Sequence, residues 1–278
     1  MTSLKKLPNG GRVSRQVQRI RTPEEDELAS KLQELSSLEG RLAQGELDLA
    51  TLGGVLESLE IRYRRIVGTK YLELDTINAA IAEILAARQP SDEQARADAR
   101  QAYARAEQTA KETEDAALSR KVEAFSPTPR LRELYRSLAK MIHPDLAVDK
   151  RDQGRRTWVM AEVNRAYREG DVNRLEAILT EWQSSPDAIE GEDVPSRLVR
   201  TIRMIARVRT RLAQIELEMQ AMVESDLHAL RQKCLDAAEA GKDLLQEMAD
   251  KVGAEIRAAK ASLESLGVTD PRERADIE

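Results

Sequence analysis

The chain has 278 residues, of which 33% are charged and only 3% aromatic, with a formal net charge of −5. Ala, Leu, Glu and Arg dominate, a composition that fits long, largely exposed helices and argues against two ordinary globular cores. The single cysteine, Cys234, excludes an intrachain disulfide and a zinc site built on paired cysteines. No apolar run approaches the length of a membrane span. The net negative charge argues against a nucleic-acid-binding role for the chain as a whole, and a reducing cytoplasm is the expected compartment.

Residues 1–21 read as a basic, flexible tail: Lys5, Lys6, Arg12, Arg15, Arg19 and Arg21 come without one acid, and the apolar stretch of a secretory signal is lacking. Thr22-Pro23-Glu24-Glu25 then predicts a helix start, with an N-cap, a proline at the first helical position and a capping-box glutamate. From Leu35 through Leu38, Leu42, Leu49, Leu52, Leu56, Leu59, Tyr63 and Ile66 the apolar positions step by three and four, the spacing of a coiled-coil seam. Gly45 fills one seam position without a side chain. Gly53-Gly54 and Gly68 weaken the helix, each glycine costing about 1 kcal/mol against alanine, so a bend is expected near Gly68. Residues 22–88 are therefore expected to form a coiled-coil arm roughly 95 Å long.

After Pro90, Ser91-Asp92-Glu93-Gln94 opens an Ala-rich helix over 91–124, whose weak stripe of Ala95, Ala99, Ala102 and Ala106 suits a solvated spacer. A second arm is expected over 195–267, roughly 105 Å long at the same rise. Its stripe runs Leu198, Ile202, Ile205, Leu212, Ile215, Met219 and Met222. After a phase shift it continues through Leu227, Leu230, Cys234, Gly241 and Leu245 to Leu263. Arms of similar length suggest an antiparallel hairpin within the chain, with a homodimer through one or both arms as the rival. Residues 268–278 read as a flexible tail.

Between the arms, residues 126–185 gather Phe125, Tyr135, Trp158, Tyr167 and Trp182 at or near one module, five of the eight aromatics. The ring-bearing residues from Tyr135 to Trp182 are expected to be core. Thr128-Pro129 starts a helix with Leu131, Leu134, Tyr135, Leu138 and Ile142 on one face and Arg130, Arg132, Arg136 and Lys140 on the others. Pro144 disfavours helical geometry in the residue before it, so this helix ends at His143. A polar loop follows, then a helix holding Trp158, Met160, Val163, Ala166 and Tyr167 and ending at Gly170. Asp171 caps a short further helix with Leu175, Ile178 and Trp182.

The pattern Leu131-x-x-x-Tyr135-Arg136-x-Leu138-Ala139-x-x-Ile142-His143-Pro144-Asp145, followed by Ala161-Glu162-Val163-Asn164-x-Ala166-Tyr167, resembles helices II and III of a J-domain. The arms on both sides are similar to those of bacterial J-domain proteins with flanking coiled coils. The resemblance implies an antiparallel helix pair with His-Pro-Asp in the intervening loop. It implies a co-chaperone that binds a DnaK-type ATPase and stimulates its hydrolysis of ATP, itself catalysing nothing and needing no cofactor or metal. His143, Pro144 and Asp145 would make the essential contact, and Arg132, Arg136 and Lys140 the positive face that meets an acidic surface. The arms would dimerise or dock a client. The sequence departs from the family at the missing first helix before Thr128, whose place Phe125 or the Ala-rich helix is expected to fill. It departs again at Ile142, Ser137, Leu146-Ala147 and Met160. The competing reading is a structural coiled-coil scaffold in which the hairpin is a degenerate spacer.

Other features have plainer readings. His228 lacks a nearby metal-ligating partner and is read as a solvated or seam-edge histidine. Cys234 is read as a small core residue. The arginine run from Arg197 to Arg211 could meet nucleic-acid phosphates, but pairing with acidic faces such as Glu73, Asp75 and Glu83 across an antiparallel hairpin is the stronger expectation.

Overall fold

The computed structural model describes residues 21–118, 125–183 and 193–267, and over these the chain is all-α. The basic N-terminal tail, the C-terminal tail and the approach to the second arm lie outside the described residues. In chain order the helices are α1 (Pro23–Tyr63), α2 (Thr69–Arg88), α3 (Glu93–Leu118), α4 (Pro129–Ile142), α5 (Lys150–Glu169), α6 (Val172–Gln183), α7 (Val194–Val223), α8 (Asp226–Glu239) and α9 (Leu244–Ser265). None is long and apolar enough to cross a membrane.

The capping box at the start of α1 is formed as the sequence predicts. The Glu25 N–H donates to Thr22 Oγ1 at 3.3 Å and the Thr22 N–H to Glu25 Oε2 at 3.0 Å, which satisfies two otherwise orphaned donors. Helix α1 passes into α2 through a π-helical turn, Arg64–Gly68. The disturbance expected near Gly68 is thus an inserted residue that rotates the apolar stripe while the backbone stays helical. At Gly54 a Cβ would sit 2.7 Å from the Phe125 ring, so this glycine is a seat for Phe125 inside a helix it otherwise weakens.

The arms pair within the chain, and they run parallel. Contacts advance together along both: Glu34 with Arg209, Gly45 with Ile215, Gly53 with Met222, Arg62 with Asp243 at 2.5 Å, and Glu73 with Lys260 at 2.8 Å. At the far end the Arg88 guanidinium donates to the Leu266 carbonyl. The antiparallel hairpin is therefore corrected, and the cause lies in α3. This helix packs on α2 in the opposite direction, with Arg105 3.2 Å and Thr109 2.9 Å from Asp75 and Thr113 against Gly68. Twenty-six residues of helix carry the chain roughly 39 Å back toward the middle of α1. Instead of a solvated spacer, α3 is the return leg that makes parallel pairing of the arms feasible.

The second arm is three helices rather than one. The first break falls at Ser225, which caps α8 by accepting the His228 N–H at 3.2 Å. The second follows Gly241, whose φ of +72° is the left-handed conformation that ends helices. Gly241 is therefore a stop signal, not a position on a continuous seam, and α8 buries none of its residues. Ile202, expected on the seam, is 45% exposed, and Cys234 is half-buried, with burial raising its thiol pKa.

Three apolar clusters hold the fold together. One joins Leu74, Ile77 and Ile84 to Val252, Ile256 and Leu263 between α2 and α9. A second joins Leu35, Leu38 and Leu42 of α1 to Ile205, Val208 and Ile215 of α7 and includes Leu146. The third is the core of the central module, with Leu134, Tyr135, Leu138, Val163, Tyr167 and Leu175 packed on Ala43 and Leu47 of α1.

Candidate partner-binding site

Helix α4 starts where Thr128 accepts the Leu131 N–H at 3.2 Å, with Pro129 in the first turn. It buries Leu131, Leu134, Tyr135, Leu138, Ala139 and Ile142 and leaves Arg132, Arg136 and Lys140 exposed. Those three basic residues recur every four positions and so form one strip. His143 leaves the helix with φ −55° and ψ 134°, as a residue before proline must. Pro144–Leu146 form a 3-10 turn, and Asp149 caps α5 by accepting the Asp152 N–H at 2.8 Å.

Helices α4 and α5 are antiparallel. Arg156 Nη1 donates to the Met141 carbonyl at 2.9 Å near the turn, and the Tyr135 hydroxyl donates to Asn164 Oδ1 at 2.7 Å further from it. The Tyr135 and Tyr167 rings lie 4.5 Å apart, and Phe125 meets Tyr167 edge-on at 5.6 Å. The face that a first module helix would cover is covered chiefly by α1, with Phe125 at its margin. Among the described residues the Ala-rich helix packs on α2 and the π-helical turn instead. Trp158, expected in the core, is 66% exposed on the outer face of α5. Trp182 is half-buried beneath the guanidinium of Arg155, 4.6 Å from its ring centre, where cation–π attraction operates.

The turn residues divide by direction. His143 is only 5% exposed and points into the protein. Its Nε2 lies 2.9 Å from Glu46 Oε1 on α1, and its Nδ1 accepts the Asp145 N–H at 3.2 Å. Because Nδ1 accepts the Asp145 N–H, Nε2 is the nitrogen that donates to Glu46, and both ring nitrogens are satisfied. Glu46 is also held by Arg211 of α7, through Nε at 2.7 Å and Nη2 at 3.2 Å, and Arg211 reaches Glu218 at 2.7 Å. Burial by itself would raise the Glu46 pKa. The hydrogen bonds from His143 and Arg211, with the guanidinium charge, outweigh it and leave the carboxyl below its ordinary value. The Arg211 pKa is raised: burial opposes the charge, and the carboxylates of Glu46 and Glu218 overcome it.

Asp145 keeps 24% of its side chain exposed, and Pro144 is half-buried. The turn thus leaves Pro144 and Asp145 partly exposed at the end of the helix that carries Arg132, Arg136 and Lys140, with Arg136 reaching Gln44 of α1 at 3.4 Å, while His143 is withdrawn into the protein. Sequence reasoning missed Glu46 and Arg211. The available signals were a charge one turn beyond Leu42 in an apolar stripe and an arginine one turn beyond Val208. The partners expected for the arginine run also change with the parallel pairing: Arg209 meets Glu34 and Arg211 meets Glu46, whereas Glu73 and Asp75 are paired with Lys260 and Arg105.

Comparison of the chain with protein-family models, with curated proteins and with solved structures finds no match.

Proposed function

We propose that this protein is a J-type co-chaperone of the cytoplasm that binds a DnaK-type ATPase chaperone at the turn between α4 and α5 and stimulates its ATP hydrolysis. The observation that carries the reading is the antiparallel α4–α5 pair with His143-Pro144-Asp145 at its connection and Arg132, Arg136 and Lys140 along the exposed face of α4. In this reading Pro144, Asp145 and the basic strip meet the chaperone. His143 acts from inside, fixing the turn through Glu46 and the Asp145 amide. The protein supplies no catalytic group of its own. Because the arms pair with each other, a client or a second copy docks on their remaining exposed faces.

A scaffold reading, in which the hairpin is a structural spacer, is favoured by one observation, the burial of His143. Binding distinguishes the two. The co-chaperone reading expects the host's DnaK-type chaperone, held in its ATP state, to bind the wild-type chain in a salt-sensitive manner. Charge reversal at Arg132, Arg136 and Lys140 should abolish that binding with helicity unchanged. Equal binding by wild type and the reversed variant, or none by either, would leave the scaffold.

A further inference from the structure

Beside the turn, Val148 and the first half of α7 enclose an open groove of about 840 Å³ that the proposed function does not use. Its apolar surface comes from Val148, Pro195 and Val199, and its basic side from Arg200, Arg203 and Arg207; among the described residues no carboxylate lines it. Val148 and Val199 are 45% and 48% exposed, so two branched aliphatic side chains face water next to arginines. Helix α7 carries no Asp or Glu from Val194 to Ile215. Of its arginines, Arg209 and Arg211 are committed to Glu34 and Glu46. Arg207 donates through Nη2 to the Ala147 carbonyl at 2.7 Å, while its Nε is buried without a hydrogen-bond acceptor among the described residues. Arg203 is exposed and makes no ion pair among the described residues.

We infer that this groove binds an acidic segment of a partner protein whose aliphatic side chains cover Val148 and Val199 and whose carboxylates meet Arg203. Two features are independent of each other and agree. An apolar floor of this size fits several side chains of a peptide. The exposed Arg203 guanidinium, without an ion pair among the described residues, selects a carboxylate, and the Arg207 Nε beside it has no acceptor among the described residues. Nucleic acid suits the groove less well. Among the described residues no aromatic side chain lines it to stack a base, and the chain as a whole carries a net charge of −5. The inference stands without the co-chaperone reading, because the groove is defined by its own floor and rim.

The test is fluorescence anisotropy on the full chain with a short labelled peptide made of Asp, Glu, Leu and Val. Polyglutamate of equal length and a single-stranded DNA of mixed sequence serve as comparison probes. The peptide is expected to bind more tightly than either probe and to weaken with added salt, since exposed charges are screened. Arg203→Glu and Val199→Glu, both at exposed positions, should each weaken it about ten-fold while the thermal melting of the chain stays unchanged. The inference is overturned if the peptide does not bind, if both variants bind it as wild type does, or if polyglutamate binds equally well. Tighter binding of the DNA would overturn it too and reassign the groove to phosphate.

Discussion

Replacing Arg211 with Met removes the guanidinium from a carboxylate that stays buried. Glu46 has 9% of its side chain exposed and takes two of its three side-chain hydrogen bonds from Arg211. Breaking a buried pair from one side costs about 3–5 kcal/mol, because the remaining charge keeps its desolvation cost without its counter-ion. The His143 hydrogen bond survives and Arg211 is itself 23% exposed, which argues for the lower end, about 3 kcal/mol. For a chain of this size each kcal/mol moves the melting temperature by about 2–4 °C, so Arg211→Met should lower it by roughly 6–12 °C. Thermal denaturation at neutral pH, followed by far-UV circular dichroism, measures this. The double variant Glu46→Gln/Arg211→Met removes the stranded charge and keeps an oxygen for His143, so it should recover part of the loss. A single variant that melts with wild type, or a double variant less stable than the single, would refute the reasoning.

The lowered pKa of Glu46 has a pH consequence. A carboxyl whose folded pKa lies below its unfolded value adds stability above about pH 4.3, and that contribution is lost as pH falls through the lower folded value. Glu46→Gln should therefore flatten part of the fall in stability below about pH 4.3 measured by acid titration of helicity. In the module core, Leu138 is fully buried and Leu138→Ala should cost about 2–5 kcal/mol in chemical denaturation. Trp158→Ala, at an exposed site, should change stability by no more than about 0.5 kcal/mol in the same assay, and a large loss would mean that the ring is packed after all. Gly54→Ala forces a methyl against the Phe125 ring and should cost about 1–3 kcal/mol. Phe125→Leu in the same chain should reduce that cost, and an additive loss from the two changes would count against the seat.

The local elements were legible because their signals are local. Thr22-Pro23 and Thr128-Pro129 each supply a cap and a fixed φ, and Pro144 ends α4 whatever surrounds it. The direction of the arms was not legible, since a seam pattern is the same whether its partner runs up or down. The deciding feature is the packing of α3 on α2, and an alanine stripe reads alike as a solvated face or as one that lets two helices approach closely. Gly241 occupied a seam position by count, and only its positive φ makes it a stop. For the candidate site, the basic strip and the turn could be read from spacing within α4. Glu46 and Arg211 come from helices distant in sequence, so what holds His143 inside the fold emerges only once α1, α4 and α7 are brought together.

The measurement that tests the central claim most directly is single-turnover ATP hydrolysis by the host's DnaK-type chaperone, with the wild-type chain and with Asp145→Asn. The account predicts that wild type accelerates hydrolysis and that Asp145→Asn, with unchanged helicity and melting, does not. Equal acceleration by both, or none by wild type, would contradict it.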